Sequence, residues 1–408
     1  MLGGVYLAAT GNLLDLYSSG MGSKFDFIDI ELTRRRQMGQ LRTLRTAQTC
    51  GGTEVIVDGR RLINFSGNDY LGLASHPLLR QRAAEFAERY GAGATASRLV
   101  AGSHPGFSVV EQKLAELKQT DRALVFNSGY QANISLLPAL ADRHSLMLLD
   151  RRCHNSLLQG ATLSRGKSIR YRQGDLTHLR ELLAESTASR YSRRLIVTES
   201  VFSMDGDISD IDALVDLAAE FDALLIVDEA HAAGVMGERG MGLTCGKGVD
   251  LCVGTLGKAL GSFGAYVACG ELLWEYLLNV SAGFIYSTAL PPGTLGAIDA
   301  ALELVPDMDV PRRTLSDNAE YLRVTLREQG WDVGLSKSQI VPVIVGAEEK
   351  ALALNRHLED CGYLAVAIRP PTVEPDRSRI RLALNVLHER GDLDSLVQDL
   401  DRWRDGRG

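Results

Sequence analysis

From about residue 120 the sequence alternates short apolar runs with amphipathic stretches, and few folds accommodate that alternation. The apolar runs are 123–126, 146–149, 195–198, 223–227, 251–255 and 265–268. Between them, stretches such as 176–184 and 211–221 repeat apolar residues at intervals of three and four, the period of a helix with one buried face. Uninterrupted apolar strands separated by helices predict an α/β domain with a mostly parallel central sheet and helices on both faces. After Pro291-Pro292 the pattern changes to longer helices interrupted by strand-like 340–345 and 379–384, which predicts a smaller α+β C-terminal domain. The 408 residues exceed what one hydrophobic core holds. The reading is therefore an N-terminal extension and arm over 1–60, a large domain over 61–300 and a small domain over 301–408.

Several function classes are disfavoured at this level. The net charge of −7 is spread without a block of one sign, and no basic stripe suits a phosphate backbone, so nucleic acid is not an expected partner. Arg34-Arg35-Arg36 reads as the solvated face of a helix. Six cysteines lie scattered without a C-x-x-C pair, which predicts neither a metal site nor a disulfide scaffold and fits a reducing cytoplasm. The first twenty residues lack the basic and apolar regions of an export signal, and no run approaches the length of a membrane span. They read as a disordered extension or a product of start-site choice.

Three segments carry chemistry. The first is Leu224-Leu225-Ile226-Val227-Asp228-Glu229-Ala230-His231, an apolar strand ending in an acid. Ligands in such sheets bind at the carboxyl ends of strands. Residues three apart on a strand face opposite sides, so Asp228 and His231 share a pocket only if the chain turns after Asp228; Gly234 and Gly237 make an irregular path easy. An aspartate there could keep a pyridine nitrogen protonated, which lets a pyridoxal ring accept electrons; a strand-end cap is the plainer alternative. The Asp-Glu-Ala-His box of helicases requires a phosphate loop that is missing, since Cys252 stands where its first glycine belongs and Ala259 follows Lys258.

The second segment is Thr255-Leu256-Gly257-Lys258-Ala259-Leu260-Gly261, a lysine between glycines just beyond another strand end. The glycines let backbone amides approach a phosphate, and Thr255 adds a hydroxyl. A partly desolvated lysine near a second positive centre has a lowered pKa and can form a Schiff base. The third is Asn127-Ser128-Gly129-Tyr130-Gln131-Ala132-Asn133, a strand-to-helix turn whose N-terminal amides suit a phosphate, with helix capping by Ser128 as the alternative. His154 follows a strand ending in Asp150 and could lie flat against a cofactor ring. Gly91-Ala92-Gly93-Ala94-Thr95-Ala96 mimics a dinucleotide fingerprint but follows a helical pattern over 80–90, so that reading is rejected.

Taken together, these segments resemble the α-oxoamine synthase family of fold-type I pyridoxal-phosphate enzymes, from about residue 25 to the C-terminus. The resemblance is carried by Asn64-Phe65-Ser66-Gly67-Asn68-Asp69-Tyr70-Leu71-Gly72-Leu73, Ser97-Arg98-Leu99-Val100-Ala101-Gly102-Ser103-His104, Glu199-Ser200-Val201-Phe202-Ser203-Met204-Asp205-Gly206-Asp207 and Asp228-Glu229-Ala230-His231. Gly257-Lys258-Ala259-Leu260-Gly261-Ser262-Phe263-Gly264 and Ile368-Arg369-Pro370-Pro371-Thr372-Val373 most resemble the members that join L-alanine to a pimeloyl thioester in biotin biosynthesis. The departures are Gly67 in place of a frequent serine, Ser200 in place of a common glycine, and the N-terminal extension.

The resemblance implies pyridoxal 5′-phosphate (PLP) as cofactor and a role for each matching position. Lys258 would be the Schiff-base lysine, Asp228 would meet the pyridine nitrogen, His231 and Ser203 the phenolic oxygen, and His154 would stack on the ring. Gly129, Tyr130 and Thr255 would hold the phosphate. Ser287 and Thr288 would reach the phosphate of the neighbouring subunit, implying a homodimer with composite sites. Arg369 and Asn68 would orient the amino-acid carboxylate, and Arg42, selected over Arg45 by alignment, would contact the acyl donor with Thr372.

Overall fold

The computed structural model describes residues 23–187 and 191–406. They divide into two compact units, one of residues up to 48 with 57–59, the other of 49–56 and 60 onward. In the first, Asp26–Gln37 is a helix with Asp26 and Asp29 in its first turn and Arg34, Arg35 and Arg36 in its last, the charge order its dipole favours. Arg34 and Arg35 each pair with Glu31 at 2.8 Å on the exposed surface, in keeping with a solvated helix face. Arg45 pairs with Asp58 at 2.6 Å. The segment 1–20 lies outside the described residues.

Fourteen strands are described, beginning with β1 (Ala47–Gly51), β2 (Glu54–Val57) and β3 (Arg60–Asn64). The central sheet follows with β4 (Arg122–Phe126), β5 (Ser145–Asp150), β6 (Lys167–Tyr171), β7 (Arg193–Glu199), β8 (Leu224–Asp228), β9 (Leu251–Thr255) and β10 (Ala265–Cys269). Their spatial order is β4-β10-β9-β8-β7-β5-β6. β5 to β9 run parallel, and β10 is antiparallel to both β4 and β9. Alternate residues enter cores on opposite faces: on β4, Leu124 and Phe126 pack with Ala132, Leu136 and Leu140, while Ala123 and Val125 pack with Phe107 and Leu114. This is the mostly parallel sheet, covered on both faces, that the apolar runs predict.

β6 is absent from those runs. Its pattern Lys-Ser-Ile-Arg-Tyr leaves Lys167, Ser168 and Arg170 exposed, because an edge strand beside β5 needs no continuous apolar surface. The later strands are β11 (Ile340–Gly346), β12 (Tyr363–Leu364), β13 (Ala367–Ile368) and β14 (Ser378–Ala383). β11, β14 and β13 form an antiparallel sheet, and β12 pairs in parallel with β3. Residue 300 falls inside the helix Pro292–Leu304, which packs along the helices Pro77–Tyr90 and Pro105–Lys118. Gly296 permits that approach, since a Cβ there would stand 2.3 Å from the Arg82 carbonyl oxygen. All six cysteines are free thiols. Among the described residues no helix is long and apolar enough to cross a membrane.

Candidate active site

The carboxyl ends of β7, β8 and β9 deliver Glu199, Asp228 and Thr255 to one edge of the sheet, where Glu199 and Asp228 stand in register. Asp228 is buried and accepts hydrogen bonds from Asn133 Nδ2 at 2.8 Å and the Ala230 amide at 2.9 Å. The chain turns immediately afterwards, with the amides of Ala232 and Ala233 both donating to the Glu229 carbonyl at 2.9 Å. This turn meets the condition for Asp228 and His231 to face one site.

Glu229 itself points the other way, into a closed polar cluster. Its carboxylate receives the Lys118 ammonium at 2.6 Å, the Thr244 amide at 2.9 Å and the Thr244 hydroxyl at 2.6 Å. Lys118 also donates to the Met241 carbonyl at 2.6 Å, and both ionic side chains are buried. The pair clamps the turn from beneath.

His231 links the lysine to the N-terminal motif. Its Nε2 lies 2.7 Å from Lys258 Nζ and its Nδ1 lies 2.6 Å from the Tyr70 hydroxyl. Burial, reinforced by the charges of Lys258 and Arg381, holds His231 well below the ordinary imidazole range, so the ring is neutral. When Lys258 is an ammonium it donates to Nε2, Nδ1–H donates to Tyr70, and Tyr70 donates to Asn68 Oδ1 at 3.1 Å. When Lys258 is an amine, the Tyr70–His231 and His231–Lys258 bonds reverse. Arg381 braces the chain, donating from Nε to the Ser203 carbonyl at 2.6 Å and from Nη2 to Asn68 at 3.2 Å.

Burial also lowers Lys258 to about 8, against the opposing pull of Asp228 and Glu199. A lysine with this pKa is about one tenth neutral amine at pH 7 and about nine tenths at pH 9. The rate at which the cofactor-free protein takes up PLP is therefore expected to rise about tenfold between pH 7 and 9 and then level off, as followed by visible absorbance. A rate that keeps climbing toward pH 10.5 would mean an ordinary lysine.

The helix Gly129–Leu140 begins beside this edge, capped by Ser128 Oγ accepting from the Gln131 amide at 3.1 Å. Capping and phosphate binding are compatible here, because the amides of Gly129 and Tyr130 have no intrahelical acceptor. A Cβ on Gly129 would meet nothing within 4 Å, which leaves the cradle open. Thr255 Oγ1 accepts from the Gly257 amide at 3.3 Å and donates to the Gly264 carbonyl at 3.2 Å. His154 is exposed, with its amide donating to Glu199 Oε1 at 2.5 Å and its Nδ1 2.7 Å from Ser156 Oγ. Ser203 is buried.

Within one chain, Ser287 Oγ accepts from Gln131 and the Thr288 carbonyl accepts from Asn127 at 2.8 Å, beside the same helix start. Asn68 and Arg369 are half-buried and Thr372 is exposed, its amide donating to the Arg369 carbonyl at 3.0 Å. Arg42 belongs to the N-terminal unit and is exposed there.

Three participants escaped the sequence reading: Tyr70, Arg381 and Glu199. Tyr70 and Glu199 lie inside runs used only for resemblance, and Arg381 is one of two buried arginines on β14, Arg379 being the other, an oddity in a buried strand. Burial, reinforced by the charge of Asp228, pushes Glu199 well above the carboxylate range. A half-buried amine, a buried carboxylate, an exposed imidazole and an open helix start fit an aromatic aldehyde bearing a ring nitrogen and a phosphate.

Comparison with known proteins agrees. A family model, aminotransferase class I and II, matches residues 60–400. A relative from Desulfosudis oleivorans is 58% identical over 94% of this chain and 99% of its own, and its name gives 8-amino-7-oxononanoate synthase activity provisionally. The 8-amino-7-oxononanoate synthase of Gluconacetobacter diazotrophicus is 47% identical over 88% of this chain and 92% of its own. A solved structure of serine palmitoyltransferase from S. paucimobilis, with bound PLP and myriocin, superposes with a TM-score of 0.86 at 25% identity, covering 94% of this chain and 98% of that one. With its fold and site geometry, the chain belongs to the α-oxoamine synthases, PLP-dependent acyltransferases within the class I and II aminotransferase family.

Proposed function

We propose that the enzyme condenses L-alanine with a pimeloyl thioester, releasing carbon dioxide and the free thiol to give 8-amino-7-oxononanoate, a step in biotin biosynthesis. The observation that carries this is the lysine of lowered pKa, hydrogen-bonded to a neutral histidine at the strand ends, in a chain that shares about half its residues with relatives named for that reaction.

Lys258, Asp228, His231, His154, Ser203, Gly129, Tyr130 and Thr255 would hold PLP, with Ser287 and Thr288 acting from a second copy. Bound there, PLP supplies an electron sink for charge developing at the amino-acid Cα. Arg369 and Asn68 grip the alanine carboxylate and fix the torsion about Cα. The Lys258 amine removes the Cα proton, and His231 holds Nζ in place for that transfer. Alanine's Cα then bonds to the thioester carbonyl as the thiolate leaves, the carboxylate departs as carbon dioxide, and Cα is reprotonated. Arg42 and Thr372 contact the acyl donor.

The assembly is a homodimer. Ser97 bridges Thr288, and Leu99, Val100 and Tyr286 stand exposed near this bridge, a surface that suits a second copy. A sister reaction joining serine or glycine to another acyl thioester is the second reading, favoured by the serine palmitoyltransferase likeness. Core residues do not set the acyl chain.

In deuterated water the holoenzyme is expected to exchange the α-proton of L-alanine, read by proton NMR, and Arg369→Ala to slow that exchange at least tenfold, the worth of a charge-assisted grip. Absence of exchange with every amino acid offered would remove the proposed chemistry.

A further inference from the structure

Beside the site lies a cavity of about 490 Å³ that shares Ser203 and Thr372 with it and is otherwise lined by residues without a role in the proposed reaction. Phe202 and Met204 form part of its wall, and Ser203 between them connects it through Arg381 to Asn68. Its charge is opposite to that of the chain. Four arginines, 151, 152, 170 and 379, face two carboxylates, those of Asp205 and Glu374, in a protein of net charge −7.

These charges fall into two groups. Asp205 is held between Arg152 at 3.1 Å and Arg379, and both Arg379 and Asp205 are largely buried, so that group is fixed structure. The outer group is loose. Glu374 spans to Arg151 at 3.8 Å and Arg152 at 3.6 Å, distances too long for tight hydrogen bonds, and Glu374 and Arg151 are about half exposed or more. Arg170, on the exposed side of β6, has no acidic partner among the described residues. Guanidinium groups at the mouth of a partly apolar cavity, with a weakly held carboxylate between them, suit a phosphate ester on a flexible arm. Acyl thioester donors end in such an arm, since the phosphopantetheine phosphate is common to coenzyme A and to acyl carrier proteins.

We propose that this cavity is a subsite for the phosphopantetheine phosphate of the acyl donor, bound by Arg151, Arg152 and Arg170, and that Glu374 is the carboxylate the phosphate displaces. The subsite rests on the reading of the chain as a thioester-using condensing enzyme and is independent of which acyl group is carried. Glu374 follows Thr372 closely on the segment that begins at Arg369, so its release frees from the 151–152 turn the same segment that carries the alanine and acyl contacts. Donor arrival is thereby coupled to movement of that segment.

The test is calorimetric titration of the holoenzyme with coenzyme A, 4′-phosphopantetheine, pantetheine and phosphopantetheinylated carrier protein. Arg151→Ala/Arg170→Ala is expected to weaken coenzyme A and 4′-phosphopantetheine about tenfold, two surface charge contacts, while leaving pantetheine unchanged. Glu374→Gln is expected to tighten both about threefold, a change of sign that misfolding cannot mimic. Loss in the carrier-protein titration alone would place the same phosphate on a carrier protein and keep the subsite. Unchanged binding of coenzyme A, 4′-phosphopantetheine and carrier protein in the double-arginine variant overturns it. If that variant loses coenzyme A while the product is not 8-amino-7-oxononanoate, the acyl assignment fails and the subsite stands. Normal product with unaltered binding removes the subsite alone.

Discussion

Lys258→Ala is expected to lower turnover by at least about 10³-fold and to remove the visible absorbance of lysine-bound cofactor, leaving the fold intact. The geometry explains both parts. Among the described residues, Lys258 is the group whose nitrogen lies in hydrogen-bond range of His231 Nε2, at 2.7 Å, and burial lowers its pKa to about 8, so that a fraction is amine near neutral pH. His231 is neutral and Tyr70 and Asn68 continue the chain, so none of these neighbours offers a second amine. Lys258→Arg should not restore activity, because a guanidinium is never a free amine in this range. Residual turnover within tenfold of the parent would move the reactive nitrogen elsewhere. Absorbance and product formation read the two effects separately.

The second large effect lies away from the reacting atoms. Lys118→Met is expected to destabilise the protein by about 3–5 kcal/mol, since Glu229 would be left as a buried carboxylate without its cation. Lys118→Met with Glu229→Gln should recover most of that loss, because no uncompensated charge remains. Urea unfolding of the four proteins of this cycle measures the coupling directly. A single-variant loss below about 1 kcal/mol would place the pair in the class of exposed ion pairs and contradict its role as a clamp. Because the Glu229 carbonyl also receives the amides of Ala232 and Ala233, the weakened clamp should additionally displace His231 and alter the pH dependence of PLP uptake.

Which parts of this arrangement were legible in the sequence follows from what each part is made of. The central strands are buried on both faces, so β9 appears as the unbroken run Leu251–Thr255 and is read to the residue. β6 has one polar edge and no such run. Lys258 and Asp228 were legible because each follows an apolar strand directly, where ligand sites form. Tyr70 and Arg381 were not, because their meaning depends on contacts far along the chain, Tyr70 to His231 at 2.6 Å and Arg381 to Asn68 at 3.2 Å, that no local pattern encodes. Glu199 illustrates a subtler gap: its position at a strand end is readable, but its raised pKa arises from burial next to Asp228, a tertiary property. The Lys118–Glu229 pair combines residues 111 positions apart and was likewise beyond periodicity or spacing.

Substrate choice distinguishes the alanine–pimeloyl condensation from its sister reactions. Purified holoenzyme is given alanine, glycine and serine in competition, with pimeloyl, acetyl, succinyl and palmitoyl thioesters offered separately, and products are identified by mass. The expected product is 8-amino-7-oxononanoate from alanine and the pimeloyl donor, with the other pairings at trace level. A dominant product from serine or glycine, or from another donor, would contradict it.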